Sequence, residues 1–271
     1  MKKFKFIAAA LALCGASQLS VAQDHDHDPT LHVNPRWREC SFQLDPALTQ
    51  EAWREFTREA GLVAYFRPLT DAKPMGPGHF EVSILQWQTA FDDAKPAWND
   101  TFVHPDSAHW LKETSRLAFP GITARVGITR NLDAAVYITR NPGANYGFTG
   151  GQLQYNVWSD PGEKWSVSAR ASFMTMFGPE DLKLSVYGAD ALVSREFKLH
   201  SDWLSVSPYV GVSTFVSSTR ETTDKVDLLN ENTFGTQTMI GTVLKVSAAR
   251  IGVEYNFATL STLSFKVGVA F

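Results

Sequence analysis

Apolar and polar residues alternate strictly at the end of the chain. Leu263, Phe265, Val267, Val269 and Phe271 share one face, and Ser264, Lys266, Gly268 and Ala270 share the other. A period of two places successive side chains on opposite faces of a β-strand. The same pattern recurs upstream. Ile122, Ala124, Val126 and Ile128 oppose Thr123, Arg125, Gly127 and Thr129. Leu153, Tyr155 and Val157 oppose Gln152, Gln154 and Asn156; Trp165, Val167, Ala169, Ala171 and Phe173 oppose Ser166, Ser168, Arg170 and Ser172. Leu204, Val206, Val210 and Val212 oppose Ser205, Ser207, Tyr209, Gly211 and Ser213, and Ile251, Val253, Tyr255 and Phe257 oppose Arg250, Gly252, Glu254 and Asn256. From about Gly121 onward no helical period interrupts the strands, so this part of the chain is all-β.

The pattern predicts strands over roughly 79–91, 120–131, 133–143, 146–158, 165–177, 182–197, 204–218, 236–246, 249–257 and 262–271. Alternation changes face near Ile84-Leu85 and again near Val186-Tyr187, which predicts bulges or bends there. Gly61–Thr70 reads as an eleventh strand and Trp37–Leu44 as a twelfth. The expected fold is an antiparallel transmembrane β-barrel of about 12 strands, with ten as the alternative. Short turns at 131–133, 159–164, 199–203 and 247–249 are expected in the periplasm, and Ser217–Gly235 is expected as a long extracellular loop. Tyr146, Trp158, Trp165, Phe177, Trp203, Phe215, Phe234 and Phe257 near strand ends suit a membrane interface, where an amphipathic ring is half wet.

The N-terminal third reads differently. Asp45-Pro46 is a helix-start signal, Leu48, Ala52 and Phe56 then share a face, and Gly61 is a stop signal. A second short helical pattern lies at 107–114 within the segment 92–119. Both pieces could plug the lumen or cap one mouth; the preferred expectation places them on the barrel rim, because loops usually run over surfaces.

Residues 1–22 carry a secretory signal. Lys2, Lys3 and Lys5 form the basic region, Phe6–Leu13 the apolar stretch, and Ser20-Val21-Ala22 the cleavage site. Leu13 before Cys14 departs from the small residue that a lipoprotein signal requires. The division expected is a signal peptide at 1–22, a leader and helix at 23–60 and the barrel at 61–271. Losing the three lysines leaves 22 basic residues against 28 acidic ones, a formal charge of −6, which argues against a nucleic-acid partner. Cys40 would be the single remaining cysteine, so no intrachain disulfide framework exists. No later segment approaches 18 consecutive apolar residues, so spanning helices are excluded.

The closing strand, Leu263, Phe265, Val267, Val269 and terminal Phe271, resembles the C-terminal signature of Gram-negative outer-membrane β-barrel proteins, and Val126–Asp133 looks like a periplasmic hairpin common among them. The resemblance implies outer-membrane lipid and the barrel-assembly machinery as partners, the latter reading the signature, and residence in the outer membrane. It names no activity.

Polar positions opposite the apolar face predict a hydrated or ion-paired lumen. Its candidates are Arg125, Gln154, Arg170, Asp190, Tyr209, Lys245, Arg250, Glu254 and Lys266. They carry the leading functional expectation, a channel or transporter for small solutes. The alternative is a non-conducting structural or surface-binding barrel acting through its loops. Asp24-His25-Asp26-His27-Asp28 makes His25 and His27 weak metal candidates; the bland reading is an acidic leader, and no cofactor is expected. His200-Ser201-Asp202 are sequence neighbours in a turn, which does not make a triad. His104 and His109, with Asp93, Asp100 and Asp106, form the one segment with the residue types for hydrolysis, and an enzyme is the less favoured reading.

Overall fold

The computed structural model describes residues 41–103, 112–113, 116–140, 144–162, 164–200 and 203–271. Ten strands close into a barrel: β1 (Phe80–Ala90), β2 (Arg116–Gly127), β3 (Leu132–Arg140), β4 (Gly147–Ser159), β5 (Trp165–Phe177), β6 (Leu182–Arg195), β7 (Leu204–Glu221), β8 (Glu231–Val246), β9 (Ala249–Phe257) and β10 (Thr262–Ala270). Every neighbouring pair is antiparallel and sequential. β10 returns to pair with β1, from Thr262 opposite Thr89 to Ala270 opposite Glu81. The seam ends on Phe271, whose N–H and C=O bond to the C=O and N–H of Phe80 at 2.8 and 3.0 Å. No barrel strand is left with an unpaired edge, which a membrane interior demands.

Ten strands, not twelve, form the wall. Ser41–Phe42 is a two-residue strand pairing with Phe102–Val103, away from the barrel sheet. Residues 61–70 form no strand. Gly61 to Val63 end helix α1 (Gln50–Val63), and the chain then runs extended, buried at nearly every residue, to Ala72. The helix start also differs. Asp45 Oδ1 accepts from the Ala47 N–H at 2.7 Å in a turn, and Thr49 caps the helix, accepting from the Ala52 N–H at 3.3 Å. Gly61 does not stop the helix. It lies where the helix meets the wall: a Cβ there would come within 2.6 Å of Phe215 and Ser217.

The interior therefore differs from the expected rim arrangement. α1 and residues 64–74 occupy the lumen as a plug. A 14-residue helix with an apolar stripe of Ala52, Trp53, Phe56 and Ala60 must bury that stripe, and the lumen supplies the apolar wall. The helical pattern expected at 107–114 is not formed at Lys112–Glu113, which pair with Arg116 and Leu117 as a strand; residues 104–111 lie outside the described ones. The helix of this segment is instead α2 (Pro96–Asn99), whose Trp98 is buried.

Neither predicted bulge exists. β1 and β6 keep register along their whole length. What changes there is the chemistry of the lumen. Toward the rim that carries the 91–115 and 222–230 connections (the upper rim), inward positions are mostly apolar: Leu85 and Trp87 on β1, followed by Thr89, and Leu182, Leu184 and Val186 on β6. Toward the opposite, lower rim they are mostly polar: Glu81 and Ser83 on β1, and Asp190 and Ser194 on either side of Leu192 on β6. A real break in register lies in β4, between Asn156 and Trp158, and leaves Val157 and Trp158 both exposed.

The loop expected at 217–235 shrinks to 222–230, because Ser217 and Ser218 pair with Thr233 and Asn232 in extended β7 and β8. Phe80, Val82, Ile84, Ile122, Val136, Ile138, Leu153, Val210, Val212, Ile240 and Val267 are exposed on the outer wall. Trp158, Trp165 and Trp203 gird its lower rim, and Phe173, Tyr187 and Phe234 stand higher. Eight residues separate Trp165 from Phe173, about 26 Å along a strand and less once the strand tilts, the scale of the apolar band of a membrane barrel. Tyr146 and Phe215, expected in the interfacial belts, instead point inward and are buried.

Candidate functional site

The plugged lumen has two layers. In the upper layer α1 packs into an aromatic core. Trp53 stacks on Phe56 with centroids 5.5 Å apart, and Phe56 meets the Trp98 ring edge-on at 5.3 Å. Phe42 lies 4.8 Å from both Phe102 and Tyr146, and Phe119 lies 5.2 Å from Phe148. Two buried indole tips find partners. The Trp87 indole N–H donates to the Val63 carbonyl at 3.0 Å, and that of Trp98 to the buried Glu59 carboxylate at 2.6 Å. Lys95 binds Glu59 at 2.9 Å and Glu55 at 3.0 Å, so these hydrogen bonds raise its ammonium above the ordinary lysine value. Loop 222–230 clamps the helix from above: Gln50 and Trp53 donate to the Leu229 carbonyl at 3.3 and 3.2 Å, and the Arg54 guanidinium lies 3.1 Å from Glu231.

The lower layer is ionic and hydrogen-bonded. Arg67 is fully buried and donates to the carbonyls of Leu62 (2.6 Å) and Tyr65 (2.9 Å), and to Asn256 (2.9 Å), Gln237 (3.3 Å) and Thr262 (3.3 Å). Tyr65 donates to Asp190. Gly188 leaves room for that ring: a Cβ there would sit 2.5 Å from Tyr65 Cε2. Arg170 reaches Gln154 at 2.9 Å and Thr70 Oγ1 at 2.9 Å, and Gln154 donates to the Asp71 carbonyl at 3.0 Å. Farther down, Arg125 pairs with Asp133, Lys266 with Glu81 at 2.7 Å, and Lys245 with Asp71 at 2.6 Å and Glu196 at 3.1 Å.

Of the nine side chains predicted for the lumen, Arg125, Gln154, Arg170, Asp190, Tyr209, Glu254 and Lys266 are buried inside the barrel. Tyr209 donates to Glu254 at 2.7 Å. Lys245 is partly exposed, and Arg250 stands at the lower rim, donating to the carbonyls of Ser247 (2.7 Å) and Ala249 (2.9 Å). Arg125, Gln154, Arg170 and Asp190 bind the plug or its wall partners, which is the ion-paired of the two lumens, hydrated or ion-paired, that the sequence left open. The plug side of these contacts, Tyr65, Arg67, Thr70, Asp71 and Lys73, was not legible as lumen, nor were wall residues Glu81, Asp133 and Glu196. Glu81 and Asp133 have the inward parity of their strands, which was the available signal. Leu263, Phe265, Val267, Val269 and Phe271 all stand on the outer wall. His25, His27, His104, His109, Asp106, Ser201 and Asp202 lie outside the described residues. Among the described residues no group of three or more His, Cys, Asp or Glu side chains converges as a metal site.

Below the plug a cavity of about 340 Å³ opens at the lower rim, lined by Asp71, Glu81, Arg125, Glu196, Lys245 and Lys266 among others. Burial pushes the Glu196 carboxyl up, but Lys245 and Lys73 beside it hold it below its ordinary value of 4.5. The stabilisation from a lowered carboxyl is complete above about pH 4.5 and is lost as pH falls through the folded value. Unfolding temperature should therefore drop between pH 6 and pH 3, and drop less in Glu196→Gln. An equal drop in both proteins would exclude this carboxylate as a source.

No family model matches the chain, and no curated protein matches it. Among solved structures, similarity is found to an outer membrane channel from Pseudomonas putida F1, at 14% identity over 76% of this chain and 100% of that one, with a TM-score of 0.41. The N-terminal β-barrel domain of Pseudomonas aeruginosa OprF is 12% identical over 73% and 100%, with a TM-score of 0.29. Ail, the attachment invasion locus protein of Yersinia pestis, is 9% identical over 72% and 99%, also at 0.29. The chain is a closed antiparallel β-barrel.

Proposed function

We propose that this protein is an integral outer-membrane barrel with its short turns in the periplasm, and that its own N-terminal segment holds the lumen shut. The observation that carries the reading is the unbroken burial of the plug from Ala60 to Ala72, across the height of the barrel. Aromatic packing holds it above, and ion pairs and hydrogen bonds hold it below. Such a barrel works through what it presents at its rims and loops, as a structural or surface-binding protein of the envelope. The terminal signature on the outer wall stays available to the assembly machinery, and the wall itself meets lipid.

A second reading, a gated channel for small solutes, is favoured by one observation. Residues 64–74 are held mainly by polar contacts, which water can replace, and the cavity below them is polar. Planar-bilayer recording separates the two. The full-length protein is expected to be silent, and a variant lacking residues 41–74 to give steps. Stable steps from the full-length protein would select the channel.

A further inference from the structure

The plug crosses the lumen once, and its direction is fixed by what holds each end. Four connections at the upper rim grip the chain where it enters. Ser41–Phe42 pairs with Phe102–Val103 in the 91–115 connection, where the Asp45 N–H also donates to the Asp100 carbonyl at 2.9 Å. Between β3 and β4, Asn145 exchanges two hydrogen bonds with the Phe42 backbone, at 2.9 and 2.8 Å. Between β5 and β6, Asp181 accepts from the Leu44 N–H at 3.0 Å. Between β7 and β8, the Leu229 N–H donates to the Gln50 side chain at 2.8 Å. Residues 41–45 are held through their backbone, so these bonds set the course of the chain itself.

The exit is fixed at the lower rim. Lys73 pairs with Glu196 at 3.1 Å, and its carbonyl accepts from Arg125 at 3.2 Å. The Met75 N–H donates to the Asp133 carboxylate at 3.1 Å. Gly76 and Gly78 then take φ of 81° and 82°, the left-handed backbone that turns the chain out of the lumen and back into the wall. The His79 carbonyl accepts from the Gly127 N–H at 2.9 Å, and β1 starts beside Phe271.

Ten wall strands alone would return both of their ends to the lower rim. The lumen crossing adds one more passage, and an odd number leaves the two ends on opposite sides. Phe271 stands at the lower rim and Ser41 at the upper one. Residues 35–40 are too few to undo this. Fully extended they reach about 20 Å, less than the apolar band of a membrane barrel, about 25 Å.

We infer that the chain immediately before Ser41 lies on the outer face of the membrane, beside the 91–115 and 222–230 connections, as part of the surface that a binding partner meets. A segment outside the wall is thereby carried across the membrane by the barrel that it plugs. The inference rests on the proposed orientation, with the short turns in the periplasm, and not on whether the lumen conducts.

The test inserts one epitope into the full-length protein at three places: between Asn34 and Pro35, between Thr223 and Asp224 in the upper loop, and between Pro161 and Gly162 in a lower turn. Antibody binding is read on intact cells and again after the outer membrane is permeabilised. The first two epitopes should bind in full on intact cells and gain nothing on permeabilisation, and the third should bind only afterwards. An epitope at 34/35 that follows the lower turn would overturn the inference and leave the orientation standing. A loop epitope that needs permeabilisation, with a turn epitope that does not, would overturn the orientation and the outer-face assignment with it. Heat-modifiable gel migration checks each fold. Where an insertion does not fold, Pro35→Cys, Lys225→Cys and Gly162→Cys in a Cys40→Ser background, labelled with a membrane-impermeant maleimide, give the same three readings.

Discussion

Replacing Arg67 by Met should loosen the plug without dismantling the wall. Met keeps most of the volume but removes every donor. The carbonyls of Leu62 and Tyr65 and the amide oxygen of Asn256 are then left buried and unpaired. Glu254 and Asp190, which attract the guanidinium, lose their nearby positive charge. An unsatisfied buried acceptor costs roughly 1–3 kcal/mol, and losing a buried charge that compensates others costs about 3–5 kcal/mol. We expect the latter total, seen as a lower temperature for the heat-modifiable gel shift and as protease cleavage within residues 64–74. An unchanged transition and a resistant segment would mean that Arg67 holds nothing in place.

The second large effect is expected in the apolar layer. Trp53 is fully buried, stacks on Phe56 and donates to the Leu229 carbonyl at 3.2 Å. Truncating a buried Trp to Ala costs about 3–5 kcal/mol, from lost transfer energy and the cavity left behind. Because the indole also tethers loop 222–230, Trp53→Ala should speed trypsin cleavage at Lys225, whose ammonium pairs with Asp181 at 2.8 Å in the intact protein. Faster cleavage with the ten-strand wall intact is the expected signature. Global unfolding at the wild-type temperature with no gain in cleavage would place Trp53 outside the clamp.

The two substitutions probe the two halves of a single pattern, and that pattern explains what the sequence revealed. The ten strands of the wall were legible because most of them alternate with period two, and their approximate bounds follow from the turns between them. Strand number was overcounted for a physical reason. Leu62-Val63-Ala64-Tyr65-Phe66 is an apolar run, and burial inside a barrel produces the same run as membership of its wall. Periodicity reports burial on one side and does not say what lies there. The supposed bulges at Ile84-Leu85 and Val186-Tyr187 have the same origin. Above those points α1 makes the lumen apolar, so the inward face turns from polar to apolar while the backbone stays regular.

Charge placement was legible on the wall and not on the plug. Arg125, Arg170 and Lys266 fall on inward parity in clean strands, so their direction could be read. Their partners Asp133 and Glu81 share that parity, but Thr70 belongs to a coil with no period. Arg67 stands one residue after an apolar run, where a cation is unusual, and that oddity was the one sign that the run ends in a buried polar layer. The turn residues at the lower rim gave length and not chemistry.

The position of the plug is tested most directly by the accessibility of Ala64, which is 1% exposed at the end of α1. With Cys40 replaced by serine, Ala64→Cys introduces a thiol little larger than the methyl group it replaces. The folded protein should resist a water-soluble maleimide from both sides of the membrane and label fully once unfolded. Rapid labelling of the folded barrel would place the segment outside the lumen and contradict its closure.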